Sequence, residues 1–205
     1  MIFREFEARI KPLPVFNLND IYKIDPDFHR AQLSDWVSRG YIKPLAGRYY
    51  ILANTQIDDS LLYMIANLIY EPSYISRESA LAYYQVIPES VLGVTCTSSR
   101  KTRRFETQWG ILNYRSIKSN LMFGYKIIEK NQTIKFKIAR LEKAVLDYLY
   151  WNPGLQSEND LKGLRWNQEL ISSLNDSPLF CKYLKIFNNK ALSQRVNILM
   201  EYAHA

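Results

Sequence analysis

"DPDFHRAQLSDWVSRGYIKPLAGRYYI", residues 25–51, changes its period once, at Gly40. Before that glycine the stretch reads as a helix: Asp25 caps it, Pro26 suits its first turn, and Gly40 ends it. Phe28, Leu33, Trp36 and Val37 then share one apolar arc, and Arg30, Ser34 and Ser38 fall on the opposite side. After Gly40 the residues double back as a hairpin with a small tip at Ala46-Gly47, flanked by Lys43 and Arg48.

Two further helices precede this one. Phe3, Phe6 and Ile10 repeat at helical spacing over residues 2–10, and Pro12 and Pro14 stop that helix. Asn17 can cap a second helix, with Asp20 near its positive end, while Phe16 and Ile21 occupy the two positions of a hydrophobic staple. Three short helices and then a two-stranded ribbon is the order of a winged helix-turn-helix. Such a unit places its third helix in the major groove and rests its hairpin on the neighbouring backbone. Arg30, Ser34 and Ser38 are therefore the candidate base-facing residues, and Lys43 and Arg48 the candidate wing contacts. The same fold also serves in protein-binding modules, and the acidic Asp27 and Asp35 count against a DNA reader.

The chain has 205 residues and a formal net charge of +7, unevenly spread. Residues 1–55 carry +2, 56–97 carry −4, 98–140 carry +9, and 141–205 are neutral. A central basic block suits a polyanion such as nucleic acid or an anionic surface, unless it is only a solvated sheet face. Within it, "SSRKTRRF" (98–105) sets Arg100, Lys101, Arg103 and Arg104 in a loop between two strands. Cys96 and Cys181 make neither a disulfide framework nor a metal motif. The N-terminal residues lack the apolar core of a signal peptide, and the apolar run 61–70 is too short to cross a bilayer. A cytoplasmic location with no membrane partner is expected.

Beyond residue 55 the pattern is helix, short strand, helix, sheet, helices. Residues 60–70 read as a helix, and Ser76 caps another that Pro88 follows. Strand patterns then run through "VLGVTCT", a hairpin around Trp109-Gly110, and a second hairpin turning at Asn131-Gln132. In the last strand Ile134, Phe136 and Ile138 alternate with Lys135 and Lys137, so one face is core and the other basic. Residues 139–153 return to helical period, and three or four short helices complete the chain. The expected fold class is α+β: a winged helix-turn-helix over 1–55, then a larger mixed α+β domain over 56–205 with an antiparallel sheet and C-terminal helices.

Catalytic signals are few. Glu142, Lys143 and Asp147 could be read as an acid–base cluster, but Lys143 and Asp147 have the i, i+4 spacing of an ordinary helix-surface ion pair. Ser76 has no histidine to activate it, and no glycine-rich phosphate loop is present. No enzyme, cofactor, catalytic residue or metal site is expected.

Two motifs carry a family resemblance. "YISRESALAYYQVIPESV" (74–91), followed beyond the basic β region by "IARLEKAVLDYLYW" (138–151), resembles the AbiEi-type antitoxins of abortive-infection (type IV) toxin–antitoxin systems. The matching residues are Ser76, Ser79, Ala80 and Leu81, then Glu142, Lys143, Ala144 and Asp147. The similarity spans about residues 15–150, and the hairpin turn "KPLAGRYY" is less arginine-rich than the family's. The resemblance implies a phage-defence transcriptional regulator that represses its own operon. It further implies an antitoxin that counters a nucleotidyltransferase-like toxin without a stable complex. The DNA-facing set would be Arg30, Ser34, Ser38, Lys43 and Arg48, joined by Arg100, Lys101, Arg103, Arg104, Lys135 and Lys137. The competing expectation is a protein-interaction module that neutralises a toxin by contact, without specific DNA binding.

Overall fold

Aromatic residues at helical spacing build a small core from the first fifty residues of the chain. A computed structural model describes residues 1–88 and 91–204. Helix α1 (Phe3–Ile10) buries Phe6 and Ile10. A two-residue strand β1 (Phe16–Asn17) leads into α2 (Leu18–Ile24). The Asn17 side chain accepts from the N–H groups of Asn19 and Asp20, and Asp20 accepts from the Asn17 N–H in return, a reciprocal cap.

The third helix, α3 (Arg30–Ser38), starts later than its sequence suggests. Asp25 does not cap it. The Asp25 carboxylate accepts from the Asp27 N–H and its carbonyl from the Phe28 N–H, so the residue closes a turn instead. That turn delivers Phe28 to the Trp36 ring, 5.2 Å away. Trp36 also stacks on Phe6 at 4.6 Å and meets Phe3 edge-on at 5.3 Å, which pins the apolar side of α3. Gly40, at φ +71°, ends the helix as expected. Strands β2 (Ile42–Pro44) and β3 (Tyr49–Leu52) form the hairpin. The expected two-stranded ribbon is in fact three-stranded, because β1 pairs with β3 to give the order β1-β3-β2. A two-residue strand carries too little alternation to be read from sequence.

The rest of the chain wraps a six-stranded sheet. Helix α4 (Asp59–Ile69), capped by Asp58, precedes β4 (Ser73–Ile75) and α5 (Arg77–Tyr83). Then come β5 (Val94–Ser98), β6 (Arg103–Thr107), β7 (Gly110–Ser116), β8 (Tyr125–Glu129) and β9 (Lys135–Ala139). The order is β6-β7-β5-β4-β9-β8. The expected antiparallel sheet is mixed, since β4 runs parallel to β9 and β5 parallel to β7. Both hairpins were visible in the sequence; how they dock on β4 and β5 is a tertiary choice that local pattern does not encode. Helix α6 (Leu141–Trp151) packs on α5, and α7 (Glu158–Lys162), α8 (Gln168–Ser172), α9 (Pro178–Phe187) and α10 (Lys190–His204) follow.

Two apolar clusters result. The smaller is drawn from Phe6 to Leu52, and the larger from the sheet and its helices. Val15, Leu45 and Ile51 belong to the larger one, so the N-terminal segment packs directly on the rest. No helix among the described residues is long and apolar enough to cross a membrane.

Candidate nucleic-acid interface

With Phe28, Leu33 and Trp36 buried, the opposite side of α3 is left to solvent. Arg30, Ser34 and Ser38 are all exposed there, as their spacing requires. The Ser38 hydroxyl donates to the Asp35 carbonyl at 2.8 Å, so its proton is already used within its own helix. Asp35, the acidic residue that counted against this face, is paired with Arg39 at 2.9 Å. Sequence reading passed over Arg39, although its i, i+4 spacing from Asp35 is visible. Hydrogen bonding to Asp35 holds the Arg39 pKa above its ordinary value. The helix therefore presents Arg30 as its unpaired cation at one end and a neutralised Asp35–Arg39 pair at the other.

The hairpin is not a free wing. Leu45 is buried in the larger core, and the tip Ala46–Arg48 turns tightly with Gly47 and Arg48 both at φ 73°. Gly47 lies against Ile69 at the C-terminal end of α4; a Cβ there would stand 3.3 Å from the Ile69 carbonyl oxygen. Glycine suits the tip by its backbone, and a side chain there would press on the Ile69 backbone. Arg48 stays exposed and Lys43 is half-buried. The next residue, Tyr49, has its pKa pushed up by burial and then by the Glu71 carboxylate, which places the tip beside the α4–β4 junction.

That junction lies at one end of the six-stranded sheet, and strand register brings most of the basic block to the same end. Ser73 pairs with Ser98, Ser98 with Ser116, Arg103 with Tyr114, and Lys135 with Glu129. The starts of β4, β6 and β9 and the finishes of β5, β7 and β8 therefore coincide. Arg100, Lys101, Arg103, Arg104, Lys135 and Lys137 all belong to this end. From β6 to β9 it spans four strand spacings, about 19 Å.

The charges there are not equally available. Lys135 is paired with Glu129, Lys137 with Glu71, and Arg104 with Glu106. Lys130 is held by Asp58. Arg100 lies 4.2 Å above the Tyr70 ring and donates to the Glu71 carbonyl, while Arg103 lies over Phe105 at 4.8 Å. Among the described residues no carboxylate pairs with Arg100, Lys101 or Arg103. The stacking on Tyr70 orders the loop's first arginine, and the Tyr70 hydroxyl donates to the Lys101 carbonyl at 2.8 Å. The loop is shorter than its sequence suggests, since Arg103 and Arg104 already pair with β7 in β6. The free charge sits on Arg100 and Lys101 in the loop and on Arg103 at the start of β6, rather than on the lysines of β9.

Lys143 and Asp147 are not a surface pair. Both side chains are 0% exposed. The carboxylate takes the Lys143 ammonium on one oxygen, and the hydroxyls of Tyr74 (2.9 Å) and Ser76 (2.7 Å) on the other. Ser76 precedes α5, but its hydroxyl makes no cap; it donates to Asp147 instead. The rings of Phe187, Phe123 and Tyr74 surround the ammonium at 4.6–5.5 Å, and burial pulls the Lys143 pKa down against the pull of Asp147. Spacing alone could not distinguish this from an exposed pair, because α6 is covered by α5, α9 and α10 rather than by water. The four polar groups satisfy one another and tie β4 to α6. Among the described residues no group of three or more His, Cys, Asp or Glu side chains could hold a metal ion.

No family model matches the chain, and no curated protein matches it.

Proposed function

We propose that this chain is a double-stranded-DNA-binding transcriptional regulator whose N-terminal segment acts as a winged helix-turn-helix. The observation that carries this reading is α3: its aromatic side is locked into the small core while Arg30 and Ser34 stand free on the other. A helix held rigidly on one side and polar on the other is what major-groove insertion needs. The basic end of the sheet, adjoining the hairpin tip, supports a second contact to the phosphate backbone. On the motif resemblance, the regulator is the antitoxin of a type IV system that represses its own operon and opposes a nucleotidyltransferase-like toxin. The reading assigns no catalysis to the chain, since Lys143 and Asp147 are engaged with each other.

Arg30→Ala removes no core contact and is expected to weaken binding to the DNA upstream of the protein's own gene by about 1–3 kcal/mol. Mobility shifts with specific and scrambled duplexes read this directly. Unchanged binding would mean that α3 is not the reading element. Absence of any shift at low salt, together with capture of the toxin, would favour the protein-interaction alternative.

A further inference from the structure

Arg195 on α10 is 8% exposed, and its Nε is sealed from solvent without an acceptor. No carboxylate or carbonyl among the described residues takes the guanidinium. Burial pulls its pKa down, with no acidic group pulling back. The sealed Nε–H without an acceptor costs stability and does not contribute to it, while the rest of the guanidinium faces an open cleft. The same side chain forms part of the wall of this cleft, of about 520 Å³, shared with Gln156, Ala191, Gln194, Asn197 and Ile198. Neither Glu158 nor Asp160, the acidic residues that follow Gln156, lines this cleft, and Asp160 is committed elsewhere. It accepts from the Gln156 and Ser157 N–H groups and the Ser157 hydroxyl, and those bonds lower its pKa.

We propose that this cleft binds the carboxylate of a small organic acid, with Arg195 as its anchor. A guanidinium offers two parallel N–H donors that match a carboxylate's two oxygens. One positive charge among neutral amides balances one carboxylate and leaves a phosphate dianion half-neutralised. Gln156, Gln194 and Asn197 supply donors and acceptors for further polar groups, and Ala191 and Ile198 an apolar wall for a short carbon chain. The cleft size lies within the range of small-ligand sites, roughly 300–1,000 Å³. The site involves none of the residues assigned to DNA, so it stands or falls separately from that reading.

Calorimetric titration of the full chain with butyrate and with inorganic phosphate, at constant ionic strength, tests the assignment. Saturable binding of butyrate at one site per chain is expected, at least tenfold tighter than that of phosphate and lost in Arg195→Met. Methionine keeps the apolar stem and removes the charge, so the ligand-free variant should also melt at a higher temperature than the native chain. Three results would overturn the proposal: butyrate binding that survives in Arg195→Met, phosphate binding more tightly than butyrate, or a melting temperature that falls in the variant. A native chain that binds neither probe would overturn it as well.

Discussion

Asp147→Ala is expected to destabilise the protein by about 3–5 kcal/mol, because it leaves the Lys143 ammonium buried without a counter-charge. The magnitude separates two accounts. An exposed i, i+4 pair contributes about 0–1 kcal/mol, so its loss would scarcely register. Here both side chains are excluded from water, and Asp147 is also the acceptor for Tyr74 and Ser76, so three donors lose their partner at once. The stem of Lys143 is enclosed as well: a Cβ at Gly124 would stand 3.1 Å from it, leaving the side chain little room to swing out. The double variant Lys143→Met/Asp147→Leu should lose less than Asp147→Ala alone, because no orphan charge remains. Denaturant unfolding of the three proteins measures this. A loss below about 1 kcal/mol for Asp147→Ala would contradict the buried-pair description.

Trp36→Ala should have an effect of similar size, about 3–5 kcal/mol, confined to the N-terminal segment. Trp36 is 4% exposed and touches Phe3, Phe6 and Phe28, so it joins α1, the turn before α3 and α3 itself. Its removal leaves a cavity at the centre of a cluster of nine buried residues, too few to absorb the loss. The larger cluster does not include Trp36, so its own unfolding should change little. Hydrogen exchange resolves the two regions, with faster exchange expected in α1–α3 and native protection in the six-stranded sheet. Specific DNA binding should disappear with the ordered α3. Uniform loss of protection across both clusters would show that they unfold as one unit.

Sequence carried the local elements and little of their assembly. The cap at Asn17, the stop at Gly40, both hairpins and the alternation of Phe136 and Ile138 with Lys135 and Lys137 are set by neighbours in the chain, and all appear in the structure. Asp25 reads as a cap in the sequence and closes a turn in the structure, because aspartate does both readily. The parallel pairings of β4 with β9 and β5 with β7 join residues far apart in sequence, so no local signal records them. The candidate interface divides along the same line. The exposed face of α3 follows from periodicity alone. That the basic block gathers at one sheet end, beside the hairpin tip, follows only from register. The burial of Lys143 with Asp147 depends on what covers α6, and the isolation of Arg195 on which partners it lacks.

DNA binding as a function of salt tests the central claim most directly. Fluorescence anisotropy of the full chain on a duplex from upstream of its own gene should show tight binding at low salt. Log affinity should fall linearly with log salt concentration. Replacing Lys101, Arg103 and Arg104 together with alanine should make that slope shallower by about 2–3 units while leaving sequence preference unchanged. The deficit should fall toward 2, since Arg104 is already paired with Glu106. An unchanged slope would remove the basic sheet end from the interface, and no binding at low salt would contradict the DNA-binding account itself.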